Sequence, residues 1–180
     1  MNTNALFQPE IISAKLWQRI AATFCDHLLL SPIQYLVFLN IIQIQSPMLS
    51  AIFCIIPLWY KIFCETIFGK TLGKHILKIK IVRTDGENAN LFSILKRNVF
   101  YILTTILLIR TEYVLLQQID ILEVDDFTKW ANFRIKHESI TNASGNFAFI
   151  FALIDIIFLL FSNLNQTFQD RIANVRVVES

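Results

Sequence analysis

Residues 147–161 read FAFIFALIDIIFLLF, and Asp155 is the only charge among them. A helix of a soluble domain sets an apolar stripe against a polar face, and this stretch has no polar face. It is the clearest of four such runs. A helix crosses ~30 Å of hydrocarbon with about 20 mostly apolar residues. Working outward, spans are predicted at about 20–42, 48–66, 98–119 and 147–162. The first is interrupted by Asp26, His27 and Pro32. The second contains Pro57 and carries Trp59 and Tyr60 near its end, where aromatic belts lie. Arg110 and Glu112 interrupt the third. The composition of the 180 residues agrees: 54% are hydrophobic and only 17% charged, where soluble domains carry roughly 25% charge. The mean hydropathy is +0.52.

Charge and composition exclude several classes. Sixteen basic against fourteen acidic residues is too even a balance for a nucleic-acid binder. Four glycines and four prolines fit neither a disordered nor a fibrous chain. Cys25, Cys54 and Cys64 sit in apolar surroundings without CxxC spacing, so neither a disulfide framework nor a zinc site is expected. The opening residues lack a basic n-region and include Pro9 and Glu10, so the first apolar run reads as a retained span rather than a cleaved signal.

The basic residues orient the spans. Two precede the first span (Lys15, Arg19), eight fall within 61–97, and two follow the fourth (Arg171, Arg176), so twelve of sixteen share one side. The positive-inside rule places both termini and the long basic connection in the cytoplasm. That connection looks structured. Leu77-Lys78-Ile79-Lys80-Ile81 alternates with the period of a half-buried strand, and Asp85-Gly86 favours a tight turn. Val175-Arg176-Val177-Val178 follows the same style. The two strands are expected to pair, and Asn90 to cap a helix over 91–98. The predicted fold is therefore an all-α membrane protein of four transmembrane helices with a short cytoplasmic β-strand pair. A segment of residues 1–18 precedes a membrane domain of 19–180.

Three separated motifs carry a resemblance. Arg19-Ile-Ala-Ala-Thr-Phe-Cys-Asp26 opens the first span, Glu65-Thr-Ile-Phe-Gly69-Lys-Thr71-Leu-Gly73-Lys74 follows the second, and Gln169-Asp170-Arg171-Ile-Ala173-Asn174-Val175 closes the chain. Together they resemble the RDD family of small multi-pass membrane proteins, named for one arginine and two aspartates. Arg19, Asp26 and Asp170 stand at those positions. The polar loop 120–146 departs from the family's pattern, as does Asn174, where a small residue, usually Gly, is expected. The resemblance implies a multi-pass protein of a cell membrane, expected to be the bacterial inner membrane. It also implies possible sodium/proton exchange, with no cofactor.

The residues admit two readings of this trio. Arg19 and Asp26 are seven apart, which returns a helix to nearly the same face ~10.5 Å along. Ionisable groups at such depth are costly and usually find partners. The trio is either a cation- or proton-binding cluster or a structural one. Glu65, Asp155 and Arg110 are secondary candidates. Asp155 either serves as a ligand opposite Asp26 or Glu65, or pairs with Arg110. Gly69-Lys-Thr-Leu-Gly73-Lys74 has one residue too few between its glycines for a phosphate loop. No nucleophile–base arrangement is visible, so an enzyme is not expected. Three function classes stay open: a small cation transporter moving sodium or protons, possibly as a homo-oligomer; a non-transporting scaffold; and a protein that reads anionic lipid through its basic connection.

Overall fold

A computed structural model describes residues 12–118, 127–136, 138–162 and 165–180. The helices are α1 (Leu16–Leu39), α2 (Pro47–Ile67), α3 (Leu72–Ile76), α4 (Leu91–Arg97), α5 (Val99–Gln118), α6 (Phe127–Lys136), α7 (Glu138–Phe161) and α8 (Phe168–Ile172). The strands are β1 (Ile79–Arg83) and β2 (Val175–Glu179). Four helices among the described residues are long and apolar enough to cross a membrane: Leu16–Ile44, Pro47–Ile67, Val99–Gln118 and Ser144–Phe161. Their apolar side chains face outward, as with Phe24, Leu28 and Phe161 at 67%, 65% and 83% exposure. That is the surface of a bundle whose solvent is hydrocarbon.

Local chemistry sets the ends of these helices. A π-helical turn, Asn40–Ile44, finishes α1, and Gln45 takes a left-handed φ of 53° to break it. Asn40 is buried there and donates to the Ser46 carbonyl and the Ser50 hydroxyl. Ser46 caps α2 with Pro47 at its first turn, a position where the missing N–H costs nothing. Asn90 caps α4 by accepting from the Ser93 amide at 2.9 Å, as expected.

Two boundaries differ from the sequence reading. The fourth apolar run begins at 147, yet α7 begins at Glu138, because apolarity marks what lies in hydrocarbon and not where helical hydrogen bonding starts. The stretch 120–146, read as a loop, holds α6 as well; residues 119–126 and 137 lie outside the described residues. The third span continues unbroken past Arg110 and Glu112.

The tightest packing is at one end of the bundle, outside the spans. β1 and β2 pair antiparallel, with Ile79 opposite Glu179, Ile81 opposite Val177 and Arg83 opposite Val175. The amide of Ala14 donates to the Val177 carbonyl and that of Glu179 to the Ile12 carbonyl, adding the N-terminal segment to the edge of β2. Two strands alone are marginal. Here Ile79, Ile81, Val175 and Val177 are fully buried with Ala14, Ala22 and Ile94. Burial of each large side chain contributes about 1.5–3 kcal/mol, which fixes the sheet to the foot of α1 and α4.

The strands are approached by the same local path. Thr71 and Thr167 each cap a five-residue helix, accepting from the amides of Lys74 and Asp170. Each helix ends on a left-handed residue, Lys78 or Asn174, both at φ 53°, and a strand follows. Asn tolerates this backbone better than other residues with a Cβ, which explains its presence where Gly is the expected residue. The ladder is centred on Ile81 and Val177, which hold the same place in the two copies of this path.

Candidate functional site

The charged residues of the sheet end form one buried network. Arg97, the last residue of α4, bridges two carboxylates that are both 0% exposed. Its Nε donates to Asp170 at 2.8 Å and its Nη1 to Glu65 at 2.8 Å. Arg19 donates to the other Asp170 oxygen at 2.7 Å and to the Asn165 carbonyl at 2.6 Å. Lys74 pairs with Glu65, whose second oxygen accepts from the Asn98 side chain at 2.8 Å. Asp170 also completes the capping box of α8.

The electrostatics outside the spans follow from this geometry. Burial favours the neutral form of Asp170, but Arg97 and Arg19 outweigh it and hold the carboxyl below its ordinary range. Burial likewise opposes the charge of Arg97, and Glu65 and Asp170 overcome it, raising its proton affinity. At Lys74 burial wins, aided by the nearby Arg97, and lowers the ammonium to about 8 despite Glu65.

Asp26 belongs to a separate set. It accepts from the Thr71 hydroxyl at 2.6 Å, the Gly73 amide at 2.8 Å and the Tyr60 hydroxyl at 3.0 Å. It thus ties α3 to α1. Gly73 is required for that approach, since a Cβ there would lie 2.1 Å from the Ala22 carbonyl oxygen. Gly69, at φ 66°, makes the turn out of α2. Of the trio, the structure joins Arg19 to Asp170 and places Asp26 among neutral donors.

The secondary candidates divide differently. Glu65 enters the network above. Asp155 does not pair with Arg110; it accepts from the Gln169 amide at 3.3 Å and from its side chain at 2.7 Å. The reason is depth. Phe100, at the start of α5, stacks on Phe151 at 3.9 Å and lies beside Phe168, which in turn contacts Phe158. Asp155 is therefore level with the beginning of α5, and Arg110 is roughly 15 Å further along that helix at 1.5 Å per residue. Arg110 is exposed on the bundle surface.

Two adjoining cavities lie among α1, α2, α5 and α7. The smaller, about 240 Å³, opens at the sheet end, where Arg19, Lys61, Lys74 and Arg97 face Asp26 and Asp155. The larger, about 880 Å³, continues between the spans to Gln34, Phe38 and Glu112. Lys61, Tyr101, Asp155, Thr23 and His27 line both. Lys61 makes no ion pair among the described residues, and its ammonium lies 4.5 Å from the centroid of the Tyr101 ring. Lys61, Arg97 and Gln169 were not singled out from sequence. Sequence places Arg97 beside Lys96 at the level of lipid headgroups, whereas the structure turns it inward onto Glu65 and Asp170.

The family model for the RDD family matches residues 13–174. The chain belongs to the RDD family. In this RDD protein Arg19 and Asp170 pair with each other, and Asp26 binds the α3 segment through Thr71 and Gly73. No curated protein and no solved structure matches the chain.

Proposed function

We propose that this RDD membrane protein moves a small monovalent cation in exchange for protons through the paired cavities, with Asp155 as the exchanging carboxylate. The observation that carries this reading is that Lys61, Asp155 and Glu112, ionisable residues of three different spans, line one continuous cavity. Intramembrane charges that face a cavity mark ion and proton paths. The threonines Thr104 and Thr105 add hydroxyls to the same wall.

Asp26 and Asp170 are less suited to exchange, since three donors hold the first and two guanidinium groups the second. Among the described residues Asp155 receives only the two bonds from Gln169, and it faces the cavity. A single carboxylate that takes either a proton or a cation, but not both, couples the two movements. The distribution of basic residues supports a topology with both termini and the sheet on the cytoplasmic side.

The test is flux in proteoliposomes. Wild type should move protons against an imposed sodium or lithium gradient, and Asp155→Asn should abolish this while melting like wild type. Absent flux from folded wild type, or equal flux from Asp155→Asn, would rule the reading out.

A further inference from the structure

Among the described residues the spans pack chiefly as a row, α1 on α2, α2 on α5 and α5 on α7, with little contact between α1 and α7. The larger cavity lies at that opening, walled by Leu30, Ile33 and Val37 of α1 and by Phe151, Ala152 and Ile156 of α7. A cleft of about 880 Å³ is within the range of ligand sites, roughly 300–1,000 Å³. Its two ends differ in chemistry. Along the spans the walls are apolar. At the sheet end they carry Lys61, which has no ion pair among the described residues. Of the cations around the adjoining cavity, Arg19, Lys74 and Arg97 are already held by Asp170 and Glu65, which leaves Lys61 as the one open to a ligand among the described residues.

We propose that this cleft seats one anionic phospholipid from the leaflet on the sheet side, its phosphate at Lys61 and an acyl chain between α1 and α7. An apolar cleft open to hydrocarbon fills with the chains that surround it. The charge at its end selects among them, because Lys61, attracted by Glu65, Asp26 and Asp155 but in ion-pair contact with none of them, gains in a phosphate a counter-charge at contact distance. The lipid forms the wall that α1 and α7 leave open. The proposal does not depend on ion exchange, although both use the cavity that Lys61 lines.

The test is native mass spectrometry of the full chain, released from bilayers of equal phosphatidylglycerol and phosphatidylcholine. Wild type should keep one phosphatidylglycerol in at least tenfold preference. Lys61→Gln should bring that preference to near unity, Lys70→Gln should leave it intact, and Ala152→Trp should expel the lipid. Thermal melting of each variant checks folding, and if Lys61→Gln fails to fold, Ala152→Trp alone decides. An unchanged preference in Lys61→Gln would overturn the proposal, as would a lipid retained by Ala152→Trp. So would a lipid-free dimer joined through α1 and α7, or added oleate displacing phosphatidylglycerol at equal concentration. A flux defect without a change in lipid retention would count against the lipid site and leave the exchange reading intact.

Discussion

Substituting Arg97 by Gln removes the cation shared by two fully buried carboxylates. Glu65 then keeps Lys74 and Asn98, while Asp170 keeps Arg19 and the Thr167 amide. Removing one partner of a buried ion pair costs about 3–5 kcal/mol. Because each carboxylate retains one cation, the lower figure, about 3 kcal/mol, is expected. For a chain of this size that corresponds to about 6–12 °C in melting temperature, taking about 2–4 °C per kcal/mol. The assay is thermal unfolding of detergent-purified protein, followed by fluorescence of a thiol probe at the three cysteines. Arg83→Gln is the control, because Arg83 pairs with Asp85 and Glu87 at the surface. Its cost should stay within about 0.5 kcal/mol. Neutralising all three groups together, as Arg97→Met with Glu65→Gln and Asp170→Asn, should not recover the loss, since Lys74 and Arg19 then lose their own carboxylate partners. Equal shifts for Arg97→Gln and Arg83→Gln would refute the account of the network as a buried keystone.

Three other outcomes follow from the same end of the bundle. Gly73→Ala should melt at least as early as Arg97→Gln, because the new methyl meets backbone; a wild-type melting curve would contradict the close packing of α3 on α1. Asn174→Gly should be neutral to within about 0.5 kcal/mol and Asn174→Val should cost about 1–2 kcal/mol, as the left-handed backbone demands; equal melting would remove that reasoning. Lys74 binds its proton less tightly folded, at about 8, than its ordinary 10.5, so the unfolded chain holds more protons between those values. Its contribution to stability therefore rises with pH across about 8 to 10.5, and Lys74→Met should flatten that part of the stability profile. Asp170 acts in the opposite range, since its lowered proton affinity gives stability above its ordinary 3.8 that is lost as pH falls below it.

Much of the fold was legible because hydropathy reports directly on which solvent surrounds a helix. The spans, the paired strands and the Asn90 cap all follow from local pattern. The start of α7 did not, since Glu138 to Asn146 is helical without being apolar. The site was harder, because partners are set by level in the bundle and not by residue type. Arg110 and Asp155 look like complementary charges in sequence, yet the packing of Phe100 on Phe151 puts them at different depths. Arg19 meets Asp170 across 151 positions of chain, a contact that the motifs suggest but spacing alone does not locate. Lys61 is distinctive because Arg19, Lys74 and Arg97 are ion-paired and it makes no ion pair among the described residues, a difference no sequence pattern records.

The twin routes into the sheet give this end of the bundle an approximate two-fold. Thr71 to Arg83 and Thr167 to Glu179 repeat one sequence of events, cap, short helix, left-handed residue and strand, about an axis through Ile81 and Val177. The two-fold stops at the third position of the short helix, a lysine in one arm and an aspartate in the other. That asymmetry sets Lys74 against Glu65 and Asp170 against Arg97 and Arg19, so opposite charges meet where strict symmetry would repeat one sign.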